Sequence, residues 1–529
     1  MAGGGSGQRL VGRARPLAEL EAALREAVAG RGALALVTGE AGIGKSRLAA
    51  ELAARAPALG ARVVWASCWD GGGAPAYWPW VQVLRAAGAG RDPVELAADL
   101  GLGAAEVLRL APELAGPLPA LPPDPPRLEP EQARFRLFDA VASFLRASAG
   151  HTPLLLVVDD LQWADVPSLL LLRFLARDLR ASRMLLLATY RDPELGPGDP
   201  AAELVADLAR AALRLPLTGL ASAEVGALVE DATGAPPDPA TVAALHRRSG
   251  GNPLFAAELA RLLATQDRLA GAAVPDTIRA VLGRRLARLD PDCRDLLRLA
   301  AVAGVQFGVE VLARAAGRDR AEVLRLLAEA EAARLLAADP ALRDGWAFTH
   351  TLVRDVLYEG LGAAERPGAH LRVAEALLAV HGDDDRHLAE VAHHLLAAAP
   401  GDGGRAAGYA LRAGRRALGL LAYEEAAWHF ERALAALPAG GRDGGRRVEL
   451  LLALGDARLR AGAFQVARDA YEQAAALARR RGRPAELATA ALGFAAGLGF
   501  EVRLYDHRQV ELLEEALAAL PAGDSSLRA

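Results

Sequence analysis

The chain has 529 residues, 52% hydrophobic and 24% charged, which suits roughly three or four folded domains and excludes wholesale disorder. Sixty-one basic and 65 acidic side chains leave a net charge of -4, so no broad cationic field draws it onto nucleic acid. Apolar runs are short, residues 1–7 lack a basic-then-apolar leader, and Cys68 and Cys293 make no disulfide framework; no membrane span and a cytoplasmic location are expected.

Leu17, Leu20, Leu24 and Val28 approximate a helical stripe. Residues 33–38, ALALVT, read as a short buried strand, followed by a Gly-rich turn and a helix over about 45–55. Residues 61–67 read as a second strand. The stretch 70–80 reads as a Gly/Pro/aromatic loop in which two tryptophans beside proline wedge against the core. The proline-rich stretch 113–130 is expected as an exposed loop, and 131–147 as a helix. The most apolar strand, 154–158, ends at Asp159 and Asp160. A helix over 166–179, a strand over 183–189, a helix near 200–210 and a short strand near 212–216 complete a first domain, residues 1–220. Short apolar strands alternating with helices predict a parallel sheet covered on both faces.

Residues 221–274 carry helical signal only and are expected to form a lid. Residues 275–380 begin with helices and then show a strand-like pair, 335–338 and 346–349, which predicts a winged-helix-like domain. Its first helices mix Arg279, Arg284, Arg285 and Arg288 with Asp290, Asp292 and Asp295. Phosphate contacts need a coherent basic face, so a relay role is expected there rather than DNA binding. From 381 to 529 the chain reads as helix pairs that repeat. Tyr423 aligns with Phe464 at an offset of 41, and Gly414, Ala426, Phe430 and Ala433 then match Gly455, Ala467, Tyr471 and Ala474. This is the tetratricopeptide pattern, in which small residues let paired helices approach and aromatics fill the gap. A third, looser unit spans about 485–521. No polar capping helix follows, so further repeats are expected past Ala529.

The chemistry concentrates at four places. Residues 39–46, GEAGIGKS, match G-x-x-x-x-G-K-[ST] between a strand and a helix. The backbone of Gly39, Glu40, Ala41, Gly42, Ile43 and Gly44, continuing into Lys45, Ser46 and Arg47 at the helix start, is expected to cradle the phosphates of ATP or ADP. Lys45 is the single lysine of the chain and would reach the β and γ phosphates, while Ser46 would offer its hydroxyl to Mg²⁺. In LLLVVDD, Asp159 is the candidate magnesium carboxylate and Asp160 the candidate that orients the attacking water; Asp is short, so slow hydrolysis is expected. At the end of the next strand, either Thr189 or Arg191 could sense the γ-phosphate, although Arg191 could equally be a turn residue paired with Asp192. Finally, GGNPLFAAEL, 250–259, starts a helix at Pro253 and could press on the nucleotide base; it contains Asn252, the single asparagine. His381, His387, His393 and His394 read as helix histidines rather than a zinc site, and Cys68 is assigned no catalysis.

Together LVGRARPLAELEAAL, GEAGIGKS, LLLVVDDLQWAD, LLLATYRDPEL and GGNPLFAAEL resemble the signal-transduction ATPases with numerous domains, in particular the large ATP-binding regulators of the LuxR type. The expected fold is an α/β P-loop ATPase domain followed by a winged-helix-like domain and an α-helical tetratricopeptide-like solenoid. The resemblance implies a switch. A resting ADP-bound monomer opens when a small-molecule or protein inducer binds the repeats, takes ATP, self-associates and hydrolyses ATP slowly. It implies phosphate and Mg²⁺ contacts for Gly39, Gly44, Lys45 and Ser46, a magnesium acid in Asp159, a catalytic carboxylate in Asp160, a strand-end sensor in Arg191 and a nucleotide-contacting proline in Pro253. Arg13 falls in the segment before the first strand, where Ala14 replaces a frequent Glu. DNA contact is expected only through a helix-turn-helix domain that is not visible before Ala529. A regulatory module of a cyclase or kinase, a motor ATPase, and a repeat scaffold with a degenerate nucleotide site remain as alternatives.

Overall fold

In the computed structural model, β1 (Ala33–Thr38), β2 (Arg62–Ser67), β3 (Leu154–Asp159), β4 (Met184–Tyr190) and β5 (Leu213–Pro216) form one parallel sheet in the order β2-β3-β4-β1-β5. The structure describes residues 10–69, 73–120, 122, 128–191, 200–266, 277–339, 344–398, 403–438, 444–496, 506–523 and 527–528. These divide into two units: Met1–Gly71, Tyr77–Pro125 and Arg136–Ala376 make one, and Gly72–Ala76, Pro126–Phe135 and Leu377–Ala529 the other.

β3 is buried along its whole length, and β4 at all but its last residue. Continuous Leu/Val runs of this kind suit strands with helices on both faces. On one face, Leu17, Leu20 and Leu24 of the helix Ala14–Val28 and Leu48 and Leu52 of the helix Lys45–Arg55 pack on Val37, Leu155, Val157, Leu185 and Leu187. Each such leucine stabilises the fold by about 2 kcal/mol relative to exposure. β4 lies between β1 and β3 although it follows both in sequence. Val37 stands opposite Thr189, and Val158 opposite Ala188, so the carboxyl ends of the three strands finish on one edge.

The structure corrects the expected loop at 70–80. Residues 70–72 lie outside the described residues, but a helix, Trp78–Gly88, starts within the stretch with proline in its first turn. The wedge is Tyr77 and Trp80 rather than two tryptophans. Tyr77 is fully buried, and the Trp80 indole donates to the Ser168 carbonyl at 3.0 Å, whereas Trp78 meets Trp69 edge-on and stays half-buried. Part of the proline-rich stretch, 121 and 123–127, also lies outside the described residues; its last proline, Pro130, starts the helix Pro130–His151.

Three helices follow the sheet, Ser222–Thr233, Pro239–Ser249 and Pro253–Gln266, closed around Val225, Val229, Leu245, Phe255 and Leu259. Beyond them come the helices Ile278–Leu286, Pro291–Ala303, Val309–Ala316 and Arg320–Ala332, and a small antiparallel sheet of β6 (Gln306–Gly308), β7 (Leu336–Asp339) and β8 (Gly345–Phe348) in the order β6-β8-β7. The sequence reading missed β6: three residues between helices show no period-two pattern. It is held by pairing with β8 and by Phe307 against Phe348, with ring centroids 5.7 Å apart. The helix Thr351–Glu359 follows β8 directly.

The second unit is helical, with Leu388–Ala398, Gly403–Gly419, Tyr423–Ala436, Gly444–Arg460, Phe464–Arg480, Pro484–Ala495 and His507–Ala519. Here the repeat spacing becomes packing. A Cβ added at Gly414 would fall 2.3 Å from a ring carbon of Phe430, and one at Gly455 2.7 Å from a ring carbon of Tyr471. The two contacts are the same pair displaced by one repeat. The first positions diverge: Tyr423 is fully buried and donates to the Pro130 carbonyl at 3.0 Å, while its counterpart Phe464 is 47% exposed. This region is consistent with a tetratricopeptide-like solenoid, and in the looser third unit residues 497–505 lie outside the described residues. No helix of the described residues is long and apolar enough to cross a membrane.

Candidate functional site

The loop between β1 and the helix Lys45–Arg55 owes its shape to glycine. Gly39, Gly42 and Gly44 have φ of 142°, 76° and 103°, values that side-chain-bearing residues rarely adopt. A Cβ at Gly39 would also meet the Leu217 carbonyl at 2.7 Å, whereas open space surrounds the same point at Gly44. Lys45 is buried, and its ammonium donates to the carbonyls of Gly39 at 2.8 Å and Glu40 at 2.9 Å, which folds the side chain back over its own loop. Ile43 packs into the core beneath, and Arg47 on the next turn lies 3.8 Å from Glu51.

Three strand ends bring the acids to this loop. The Ser46 hydroxyl donates to Asp159 Oδ1 at 2.9 Å, and the Thr189 hydroxyl donates to the same oxygen at 2.5 Å. Thr189 accepts in turn from the Asp160 backbone N–H at 2.8 Å. Burial and then the charge of Asp160 push the Asp159 carboxyl up to about 6, against the hydrogen bonds from Thr189 and Ser46 and the charge of Lys45. Asp160 sits in the left-handed region at φ 57°, which Asp tolerates better than most residues. Its Oδ1 accepts from Gln162 Nε2 at 2.9 Å and lies 3.9 Å from the Arg191 guanidinium. Gln162 Oε1 accepts the Arg191 backbone N–H at 3.2 Å.

The helices that follow the sheet are tied to the same loop. Asn252 Nδ2 donates to the Ala41 carbonyl at 2.9 Å, and the Leu254 N–H donates to the Gly42 carbonyl at 3.3 Å. Asn252 Oδ1 accepts from the N–H groups of Leu254 and Phe255, capping the helix that starts at Pro253. One amide thus caps a helix and reaches the phosphate loop, a double task that accounts for the lone asparagine. Pro253 stands between two residues bonded to the loop. Arg13 works from the other side: its guanidinium donates to the carbonyls of Ile43 at 3.0 Å and Thr218 at 2.8 Å. Burial lowers its affinity for the proton while Glu224 of the helix Ser222–Thr233 raises it.

Residues 9–187 match the family model described as an AAA ATPase domain. This segment is similar to an AAA ATPase domain. An uncharacterised protein of Rhizobium meliloti (strain 1021) is 27% identical over 381 residues, 66% of this chain and 35% of that protein, so the chain matches about a third of the length of this curated relative. A crystal structure of a signal transduction ATPase with numerous domains that carries a tetratricopeptide repeat sensor, from Pyrococcus horikoshii, is 14% identical; the likeness covers 97% of this chain and 72% of that one, with a TM-score of 0.46. The structure of Cdc6p from Pyrobaculum aerophilum is 13% identical, covering 67% of this chain and 96% of that one, with a TM-score of 0.32.

An AAA ATPase domain implies nucleotide binding in general, and the residues here suit it. The left-handed glycines open a backbone cradle for phosphate. Ser46 and Asp159 offer a hydroxyl and a carboxylate oxygen 2.9 Å apart, the hard oxygen donors a magnesium ion takes. Of the two sensor candidates, Thr189 is fully buried and its hydroxyl both donates to Asp159 and accepts from Asp160. Arg191 is 7% exposed, its guanidinium donating to the Thr351 hydroxyl, and its charge also reaches Asp355. The expected alternative partner, Asp192, lies outside the described residues.

Sequence reasoning missed Gln162, Asn252's contact with Ala41, and Thr351. Asn252 had a signal in its uniqueness and Gln162 in lying within LLLVVDDLQWAD; Thr351 becomes visible only in the fold. Cys68 follows β2 and is buried; burial and the charges of Asp165, Asp160 and Asp159 raise its thiol well above the usual range, so it stays protonated. Of the histidines, His381 stacks on His387 at 3.8 Å, and His387 Nδ1 lies 3.4 Å from Glu390.

Proposed function

We propose that this chain is a nucleotide-dependent signalling switch of the type with numerous domains, which binds ATP or ADP with Mg²⁺ and hydrolyses ATP slowly. The observation that carries the reading is the position of Arg191: nearly buried, 3.9 Å from Asp160 at the strand edge, and hydrogen-bonded to Thr351 at the start of the helix Thr351–Glu359. A single side chain therefore lies beside Asp160 and bonds to the helix Thr351–Glu359.

The residues divide the work. Lys45 trades its loop carbonyls for phosphate oxygens, and the glycine backbone binds the remaining phosphate charge. Ser46 and Asp159 would hold magnesium, which when bound supplies positive charge on the phosphate oxygens. Asp160 orients water and accepts its proton, with the short reach of Asp keeping turnover slow. Arg191 turns from Thr351 towards the γ-phosphate when ATP is present, loosening the helix Thr351–Glu359. We read residues 275–380, which include β6–β8, as a winged-helix-like relay. The repeats take a small-molecule or protein inducer, self-association follows ATP binding, and the output is transcriptional through a helix-turn-helix domain. The cellular compartment of this reading is the cytoplasm.

Release of a fluorescent ADP analogue tests it. Thr351→Val removes one charge-assisted hydrogen bond, worth about 1.5 kcal/mol, so release should speed up about tenfold. Release at the parent rate, with Lys45→Ala abolishing binding, would leave a nucleotide site without the proposed relay.

A further inference from the structure

We infer that Gln162 is a positioning residue for hydrolysis: its side-chain amide aims the Asp160 carboxylate and sets the Arg191 backbone at one distance from it. The inference rests on the reading of Asp160 as the water-orienting group.

The geometry is two-ended. Gln162 Oε1 accepts the Arg191 backbone N–H at 3.2 Å, and Gln162 Nε2 donates to Asp160 Oδ1 at 2.9 Å. The chemistry fixes which end is which. A backbone N–H can only donate, so the atom facing it must be the carbonyl oxygen, and the atom facing the carboxylate must be the amide nitrogen. Glutamate is nearly the same size, but as a carboxylate it has no donor for Asp160.

Asp160 needs such a partner. Its backbone stands in the left-handed region at φ 57°, held there by its N–H donating to Thr189. That bond fixes the main chain; the carboxylate itself is held by the Gln162 amide at 2.9 Å and, at the longer distance of 3.9 Å, by the Arg191 guanidinium. Gln162 engages Oδ1, the oxygen that also faces Arg191. Gln162 itself is buried and sits on the short turn Leu161–Trp163, so its own rotamer is confined. Arg191 at the end of β4 and Asp160 at the end of β3 belong to adjacent strands, and the amide spans the gap between their tips. A buried amide satisfies both ends in any case; here the two partners are the carboxylate and the backbone of the two strand tips.

Single-turnover ATP hydrolysis with the full chain in excess, alongside binding of a non-hydrolysable ATP analogue, provides the test. Gln162→Leu and Gln162→Glu should each slow hydrolysis about tenfold or more while analogue affinity stays within about twofold, because misplacing a reacting group costs rate rather than binding. Gln162→Glu keeps the volume, so it guards against a folding defect in the leucine variant. In an Asp160→Asn background, Gln162→Leu should cost nothing further, since its effect passes through that carboxylate. Hydrolysis at the parent rate in both glutamine variants, a parallel loss of affinity, or equal losses with and without Asp160 would each overturn the inference. Asp160→Asn hydrolysing at the parent rate would instead remove the reading beneath it.

Discussion

The sheet edge of the first unit and the repeats of the second are built on opposite physical terms. At the edge, Ser46, Asp159, Asp160, Gln162, Thr189 and Arg191 satisfy one another through directed hydrogen bonds within a few ångströms. In the repeats, Gly414 under Phe430 and Gly455 under Tyr471 fix helix spacing by shape alone. A polar network of the first kind has alternative arrangements, because each donor can exchange its acceptor for a phosphate or a water. A glycine–aromatic contact has one arrangement or none. The contrast places adaptability in the ATPase edge and rigidity in the arm.

If that contrast holds, perturbations should stay local. The largest effect belongs to Lys45→Ala, which should weaken ADP binding a hundredfold or more, roughly 3 kcal/mol, by calorimetry, with unfolding of the repeats unchanged. Acid should act on the repeats through His429. Burial and then the charge of Arg432 hold His429 down at about 4, with Glu425 Oε1 3.5 Å from its Nε2. The unfolded chain therefore takes up this proton before the folded one does. Stability conferred by neutral His429 is complete above about pH 6.5 and is lost as pH falls towards 4, by about 3 kcal/mol at most. His429→Leu should flatten that slope in circular-dichroism melts; an equally steep slope would assign it elsewhere. Gly414→Ala should destabilise the repeats by about 2 kcal/mol in the same melts while ADP affinity stays as in the parent, because the new methyl group meets the Phe430 ring. The smallest effect is Asn252→Asp. It keeps the helix cap but loses the donor to Ala41, so ADP affinity should fall only a few-fold, about 1 kcal/mol, and Asn252→Ala, which also loses the cap, should do worse.

The parts of this molecule legible in its sequence are those with short periods. The runs ALALVT, LLLVV and RMLLLAT announced buried strands, GEAGIGKS announced a phosphate loop, and the Gly-to-aromatic spacing announced paired helices that the fold then packs as glycine against ring. β6 was not legible, since three residues carry no period, nor was the helix start at Trp78, hidden among glycine and proline. The sequence allowed Thr189 or Arg191 as sensor, with the resemblance implying Arg191; the fold turns the Thr189 hydroxyl onto Asp159 and the Arg191 guanidinium onto Thr351.

Local composition settled which residues could carry charge, turn sharply or pack closely, because backbone conformation and burial pattern are properties of neighbours along the chain. It could not say that β4 slides between β1 and β3, because a parallel crossover leaves no trace in spacing. That one placement put Gln162 between two strand tips and joined Arg191 to a helix 160 residues away. Contacts between distant segments are chosen by how the sheet closes, and the sheet closes only when every strand has found its partner.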